Sequence, residues 1–237
     1  MRLSYLLAKS TTVRFVSLAF TLVAIAATFT DAAFAQYLHP KISSKQTTVR
    51  HIVVLPAKVD IVRDSMKGPE GMGAESEQLS ARVTELITGV LAAKHITALT
   101  TPVSLPGESD AQQKYTIADI QSRYDDLLSK ITKKKKDVKN GRFSMGDEVQ
   151  NLNLSKGADA IVFIRGRGQK LTSGKKAFVL LVGGMPAFLQ LTIGIVDAHT
   201  GEVLLFTDAV AVGDPTDPSS NRVRKGIEKS LKKLPAV

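Results

Sequence analysis

The chain reads as an α/β fold, a single mixed sheet of about five strands covered by amphipathic helices. Runs such as Ile161-Val162-Phe163-Ile164 and Ile193-Gly194-Ile195-Val196 are apolar, β-branched and bounded by glycine or turn residues. That pattern marks strands buried on both faces of a sheet. Leu79, Val83, Leu86, Ile87, Val90 and Leu91 instead fall on one side of a helical wheel, so a helix is laid on that sheet. The remaining elements serve to cover it.

The chain begins with Arg2, Lys9 and Arg14 ahead of an uncharged run from Phe15 to Phe29. Ala33-Phe34-Ala35 then places small residues where a signal peptidase reads, so residues 1–35 are expected to be a signal peptide cleaved after Ala35, with export to the periplasm. The uncharged run is shorter than the ~20 residues a spanning helix needs. No cysteine occurs, which leaves no lipid-anchored cysteine and no disulfide. Removing three basic residues and one acid from the 32 and 22 of the chain leaves a net charge of +8. That balance favours anionic neighbours such as lipid head groups, wall polymers or acidic proteins. An exported chain with no Trp and 5% aromatic residues is not expected to bind nucleic acid.

Residues 36–48 are polar and without period, a flexible lead-in to a single domain over 49–237. The first strand is 51–56, ended by Pro56. Gly68-Pro69, Gly71 and Gly73 among charges make 60–74 a loop. A helix over 75–94 and a strand over 96–100 complete a β-α-β unit. The next helix is expected over 110–138, with Ile117, Ile120, Tyr124, Leu127, Leu128 and Ile131 on one face and Gly141 beyond its end. Ser144 and Asp147 resemble a capping box for a helix over 145–156. Strand 158–165 enters the sheet, followed by a basic, glycine-containing connection through Lys176. Strands 189–197 and 202–211 form a hairpin in which Gly201 supplies a positive φ, and a helix over 219–233, capped by Ser219 or Ser220, closes the chain.

Two stretches stand out as surfaces. Lys133, Lys134, Lys135 and Lys136 are consecutive, so on a helix they would surround it; they suit a solvated C-terminal end, with an anionic contact as the alternative. Residues 177–196 carry no charge over twenty positions. Gly183-Gly184, Pro186, Gln190 and Thr192 interrupt them, which argues against membrane insertion and for a short helix or loop over 177–184 followed by a strand. Phe178, Val179, Leu180 and Leu181 are then candidates for an exposed patch that meets a partner or a copy of the chain.

Chemistry is sparse. His39, His51, His95 and His199 are far apart in sequence, with no HxxxH or HExxH pair, so no metal site is expected. Gly166-Arg167-Gly168 follows a strand, but Leu171 stands where the third glycine of a dinucleotide loop belongs. No GxSxG occurs. Asp125 with Asp126, and Asp214 with Asp217, read as helix-surface and turn residues. No catalytic residue and no cofactor are predicted; an enzyme with a site assembled from Asp159, Asp197 and His199 stays as an alternative.

A strand ending Leu55-Pro56, an amphipathic helix, a strand entered by Gly157-Ala158-Asp159-Ala160 and the hairpin Asp197-x-x-Thr200-Gly201-Glu202-Val203 resemble a superfamily of bacterial envelope proteins. It contains the curli-secretion channel subunit and the lipoprotein activators of penicillin-binding proteins. Gly157 through Gly213-Asp214 to Leu234-Pro235 is similar to uncharacterised exported proteobacterial proteins. The resemblance implies a mixed α/β domain on the periplasmic side of an envelope that acts by binding. The expected function is therefore a non-catalytic periplasmic envelope protein that binds a protein partner or an anionic envelope surface. The alternative is an oligomeric, membrane-associated assembly or secretion component inserting 177–196.

Overall fold

In a computed structural model of the chain, residues 36–100, 110–146, 149 and 157–236 are described, and Gln36–Val237 forms one compact unit. Its sheet is mixed and holds eight strands rather than about five. The strands are β1 (Gln36–Leu38), β2 (His51–Val54), β3 (Lys58–Ser65), β4 (Gly68–Gly71), β5 (Thr97–Thr100), β6 (Ala160–Leu171), β7 (Phe188–Asp197) and β8 (Val203–Val212). The helices are α1 (Pro40–Ser43), α2 (Gly73–Ala92), α3 (Asp110–Lys133), α4 (Ser173–Val182) and α5 (Arg222–Ser230). The order across the sheet is β1-β8-β7-β6-β2-β5, with β3 also beside β6 and β4 beside β3.

The longest strands lie at the centre. β6 pairs antiparallel with β7 along ten residues and β7 with β8 in turn. Leu204 is an extra residue opposite Ile195 and Val196, a bulge that keeps both Leu204 and Leu205 in the core. β2 and β3 follow one another along the other side of β6, both parallel to it, and the register slips by one residue across Pro56, where the ladder has no donor. Side chains alternate to the two faces. Ile52, Val54, Val162, Ile164, Ile193 and Ile195 pack under α2 and α5, whereas Val53, Ile161, Phe163, Val196 and Phe206 pack under α3.

Several expectations are corrected. The loop expected over 60–74 is the β3–β4 hairpin. The basic connection after residue 165 is the second half of β6, in which Arg165, Arg167 and Gln169 alternate with Gly166 and Gly168. Residues 36–48, expected as a flexible lead-in, hold β1 on the edge of β8 and α1, with Ile42 buried. Gln36 is buried too; its side-chain amide donates to the Lys229 carbonyl at 2.7 Å and its oxygen accepts from the Lys233 amide at 2.7 Å, tying β1 to the end of α5. The helix expected over 110–138 stops at Lys133; Lys134 leaves the helical conformation and a 3₁₀ turn runs over Lys135–Asn140. The last helix starts at Arg222 behind Asn221, later than expected, and the hydroxyl of Ser220 accepts from the Arg222 amide at 3.3 Å. The helix expected over 145–156 falls for most of its length outside the described residues, as does the signal segment 1–35.

β3 shows how a strand edge is closed without another strand. The amides of Ala57, Val59 and Ile61 donate to the hydroxyls of Thr84, Ser80 and Ser76 on α2, at 3.0, 3.0 and 2.9 Å. Four helical residues rise ~6 Å and two strand residues ~6.6 Å, so a hydroxyl every fourth helix residue meets every second strand amide. Thr84 and Ser76 donate in turn to the carbonyls four residues back, of Ser80 and Met72. Ser80→Ala leaves the Val59 amide without its acceptor and is expected to cost about 1–3 kcal/mol in urea unfolding. Thr88→Ala, whose hydroxyl bonds only the Thr84 carbonyl, is expected to cost less than about 0.5 kcal/mol. Equal costs at the two sites would contradict the ladder.

The first turn after β1 makes stability pH-dependent. His39 is buried, and its Nδ1 accepts from the Lys41 amide at 3.2 Å. Desolvation lowers its pKa from 6.5, against the opposing charge of Glu202. Glu202 is lowered from 4.5, first by the hydrogen bond from the Lys41 ammonium. In both cases the unfolded chain takes up the proton first, so the contribution is complete above pH 6.5 and is lost as pH falls, through His39 and then, below 4.5, through Glu202. The melting temperature is expected to drop steadily on acidification, and His39→Gln to flatten the portion just below pH 6.5. An unchanged slope in that variant would count against the assignment.

Candidate interaction surface

α4 is built from local signals. Thr172 caps it, its hydroxyl accepting from the Lys175 amide at 3.4 Å, and Gly183 ends it. Lys175 lies 3.5 Å from the Asp64 carboxylate on β3, which also accepts from the Gln169 side chain at 2.9 Å. Beyond this foot the helix stands off the domain, and none of its residues is buried. Phe178 is 46% exposed, Leu180 85% and Leu181 86%. Val179, expected in the same patch, is instead half-buried, with Gly184 folded back against it.

The register of the sheet gathers more apolar side chains here. Val62, Gln169, Phe188 and Val212 are cross-strand neighbours in one row, and Val62 is 38% and Val212 56% exposed. The same end of the sheet carries Met66 in the β3–β4 turn, Val182 at the end of α4 and Met185 between α4 and β7, all exposed. Every large hydrophobic side chain that is exposed among the described residues therefore stands at this one end, where β3, β6 and β8 finish and β7 begins. Sequence reading found the α4 part from its uncharged run. It missed Val62, Met66 and Val212, which come together only through strand pairing.

Lysines rim the patch. Lys67 and Lys176 are exposed, Lys175 answers Asp64, and Lys170 donates to the Thr216 hydroxyl at 2.8 Å beside Asp214. Burial alone would raise the Asp214 carboxyl; the hydroxyl and amide of Thr216 and the charge of Lys170 outweigh it and hold the group below its ordinary value. Residues 177–196 do not act as one segment. The apolar helix ends at Val182, and Phe188–Asp197 is a central strand. No helix among the described residues is long and apolar enough to cross a membrane.

Among the other sequence candidates, Lys135, Asp159 and Asp197 make structural contacts. Lys135 pairs with Asp208 and lies over the Phe206 ring, 5.6 Å from its centre, whereas Lys133, Lys134 and Lys136 are exposed. Asp197 lies opposite Ala160, next to Asp159 in sequence, but Asp159 accepts from the Arg50 and His51 amides and Asp197 from those of His199 and Thr200 in the hairpin turn. Among the described residues no three His, Cys, Asp or Glu side chains are grouped as metal ligands. A cleft of about 490 Å³ between α3 and the sheet holds Lys58, Asp125, Arg165 and Arg167. Arg165 pairs with Asp125, and Arg167 donates to the neutral amide oxygen of Gln190.

No protein-family model matches the chain, and no curated protein matches it. Solved structures are similar to it over most of its length. One is the PelC dodecamer from Paraburkholderia phytofirmans, at 11% identity and a TM-score of 0.45, covering 86% of this chain and 96% of that one. Another is lipoprotein GNA1162 from Neisseria meningitidis, at 12% identity and a TM-score of 0.32, covering 78% and 95%.

Proposed function

We propose that the chain is a non-catalytic component of a bacterial cell envelope, exported with residues 1–35 removed, and that it works by binding through the apolar end of its sheet. One observation carries this reading: the exposed large hydrophobics of the described residues are gathered at one end and lie over no core. A soluble domain tolerates scattered apolar side chains, but a contiguous patch marks a surface that something else covers. The net charge of +8 left after the signal favours an anionic envelope as the setting. The carboxylates an enzyme reading would use, on Asp159 and Asp197, are already committed to backbone amides.

Photo-crosslinking in intact cells tests the reading. A photoreactive residue at position 181 is expected to capture an envelope component, protein or lipid, while one at the exposed position 85 on α2 captures none. Recovery of the bare monomer from both positions would refute it.

A further inference from the structure

Around α4 the apolar character has no side. Ala177 to Val182 are six consecutive apolar residues, and steps of about 100° carry them round the whole circumference. Polarity changes along the axis instead, with Lys175 and Lys176 in the first turn and only apolar side chains in the last two. A helix that docks in a protein groove, or against a second copy of itself, needs one apolar stripe and keeps its other side polar. A helix wetted by acyl chains needs apolar side chains all round, with cations at the depth of the head groups. Lys67, Lys175 and Lys176 lie at the foot of the tip, and Met66 and Val212 at its flanks.

Resting on the binding role above, we infer that this end of the domain inserts, tip first, into the surface of a bilayer that contains anionic lipid. Ten helical residues span about 15 Å, half of a hydrocarbon core of about 30 Å, so the tip reaches one leaflet and does not cross. Gly183, Gly184 and Pro186 return the chain to β7 without a second helix. The connection between the antiparallel neighbours β6 and β7 runs from Thr172 to Ala187, where a hairpin needs about two to five residues. The extra length builds only this projection. Asp64 and Asp214 each face a lysine, and with the exposed Glu70 of β4 they make three acids at this end against Lys67, Lys170, Lys175 and Lys176, so the rim presents a net positive charge to the leaflet.

Co-sedimentation of the Gln36–Val237 unit, whose core is complete within itself, with vesicles is the test. Binding is expected to phosphatidylcholine vesicles containing phosphatidylglycerol, and to be far weaker to pure phosphatidylcholine. Leu180→Asp with Leu181→Asp, both on open surface, is expected to lower binding roughly a hundredfold with unchanged melting. Lys67→Glu with Lys176→Glu is expected to remove the preference for phosphatidylglycerol. Three results would overturn the inference: no binding to either vesicle, binding indifferent to the leucine changes, or a lipid-free dimer that the leucine changes dissociate. If the first occurs while position 181 still captures an envelope protein in cells, the lipid inference fails and the binding role stands. If position 181 captures nothing, both fail.

Discussion

Gly194→Ala is expected to destabilise the domain by about 3 kcal/mol, which for a chain of this size lowers the melting temperature by about 10 °C. Gly194 lies at the middle of β7 under the ring of Tyr124 from α3. A Cβ there would come within 2.7 Å of Tyr124 Cζ and closer still to its hydroxyl. The ring cannot swing away, because it is fully buried and stacked on Phe163 with centroids 4.2 Å apart and planes 10° from parallel. Arg165 lies over it as well, 5.7 Å from its centre. The Tyr124 hydroxyl finds no hydrogen-bond partner among the described residues, and burial raises its pKa. Tyr124→Phe alone is therefore expected to be neutral or to stabilise by up to about 1 kcal/mol. Combined with Gly194→Ala it should recover part of the loss, since Cζ remains too close. A double-mutant cycle from urea unfolding reads the coupling; strictly additive costs would show that the two residues do not meet.

The second large effect separates function from stability. Replacing Ser173–Pro186 with a short turn removes α4 and Met185 but no residue of either hydrophobic core. The only ion pair lost among the described residues is Lys175–Asp64, a partly exposed contact of the kind worth less than about 1 kcal/mol. The melting temperature is expected to stay within about 3 °C of the intact domain. Envelope association, read by cell fractionation, is expected to disappear. A collapse of the fold would mean that α4 is a structural element and would remove the reason for treating it as a contact surface.

The elements legible in the sequence are those whose pattern comes from burial alone. β7, β8 and the first half of β6 are apolar runs because helices cover both their faces, and α2 shows its stripe because only one side touches the sheet. β3 was hidden because Val59 and Ile61 alternate with Lys58 and Asp60 for too short a distance before Gly68-Pro69. Its edge is closed by Ser76, Ser80 and Thr84, whose spacing of four becomes meaningful only beside a strand. The second half of β6 was hidden for a different reason. Its inward positions are Gly166 and Gly168, pressed by Leu191, Val59 and Ile61, so the apolar half of the alternation is supplied by neighbouring strands. Lys135 could not be told from its three neighbours without the break at Lys134, which turns it to Asp208. Of the candidate surface, Phe178, Leu180 and Leu181 were visible as an uncharged run. Val62, Met66 and Val212 were not, because four strands in register bring together residues up to 150 positions apart.

The whole chain contains no tryptophan, so one placed at position 181 reports only from the tip of α4. On adding vesicles that contain phosphatidylglycerol, its emission is expected to shift to the blue and to be quenched by lipids brominated along the acyl chain. Emission that stays that of a water-exposed indole at saturating lipid, in a domain whose melting is unchanged, would contradict the account.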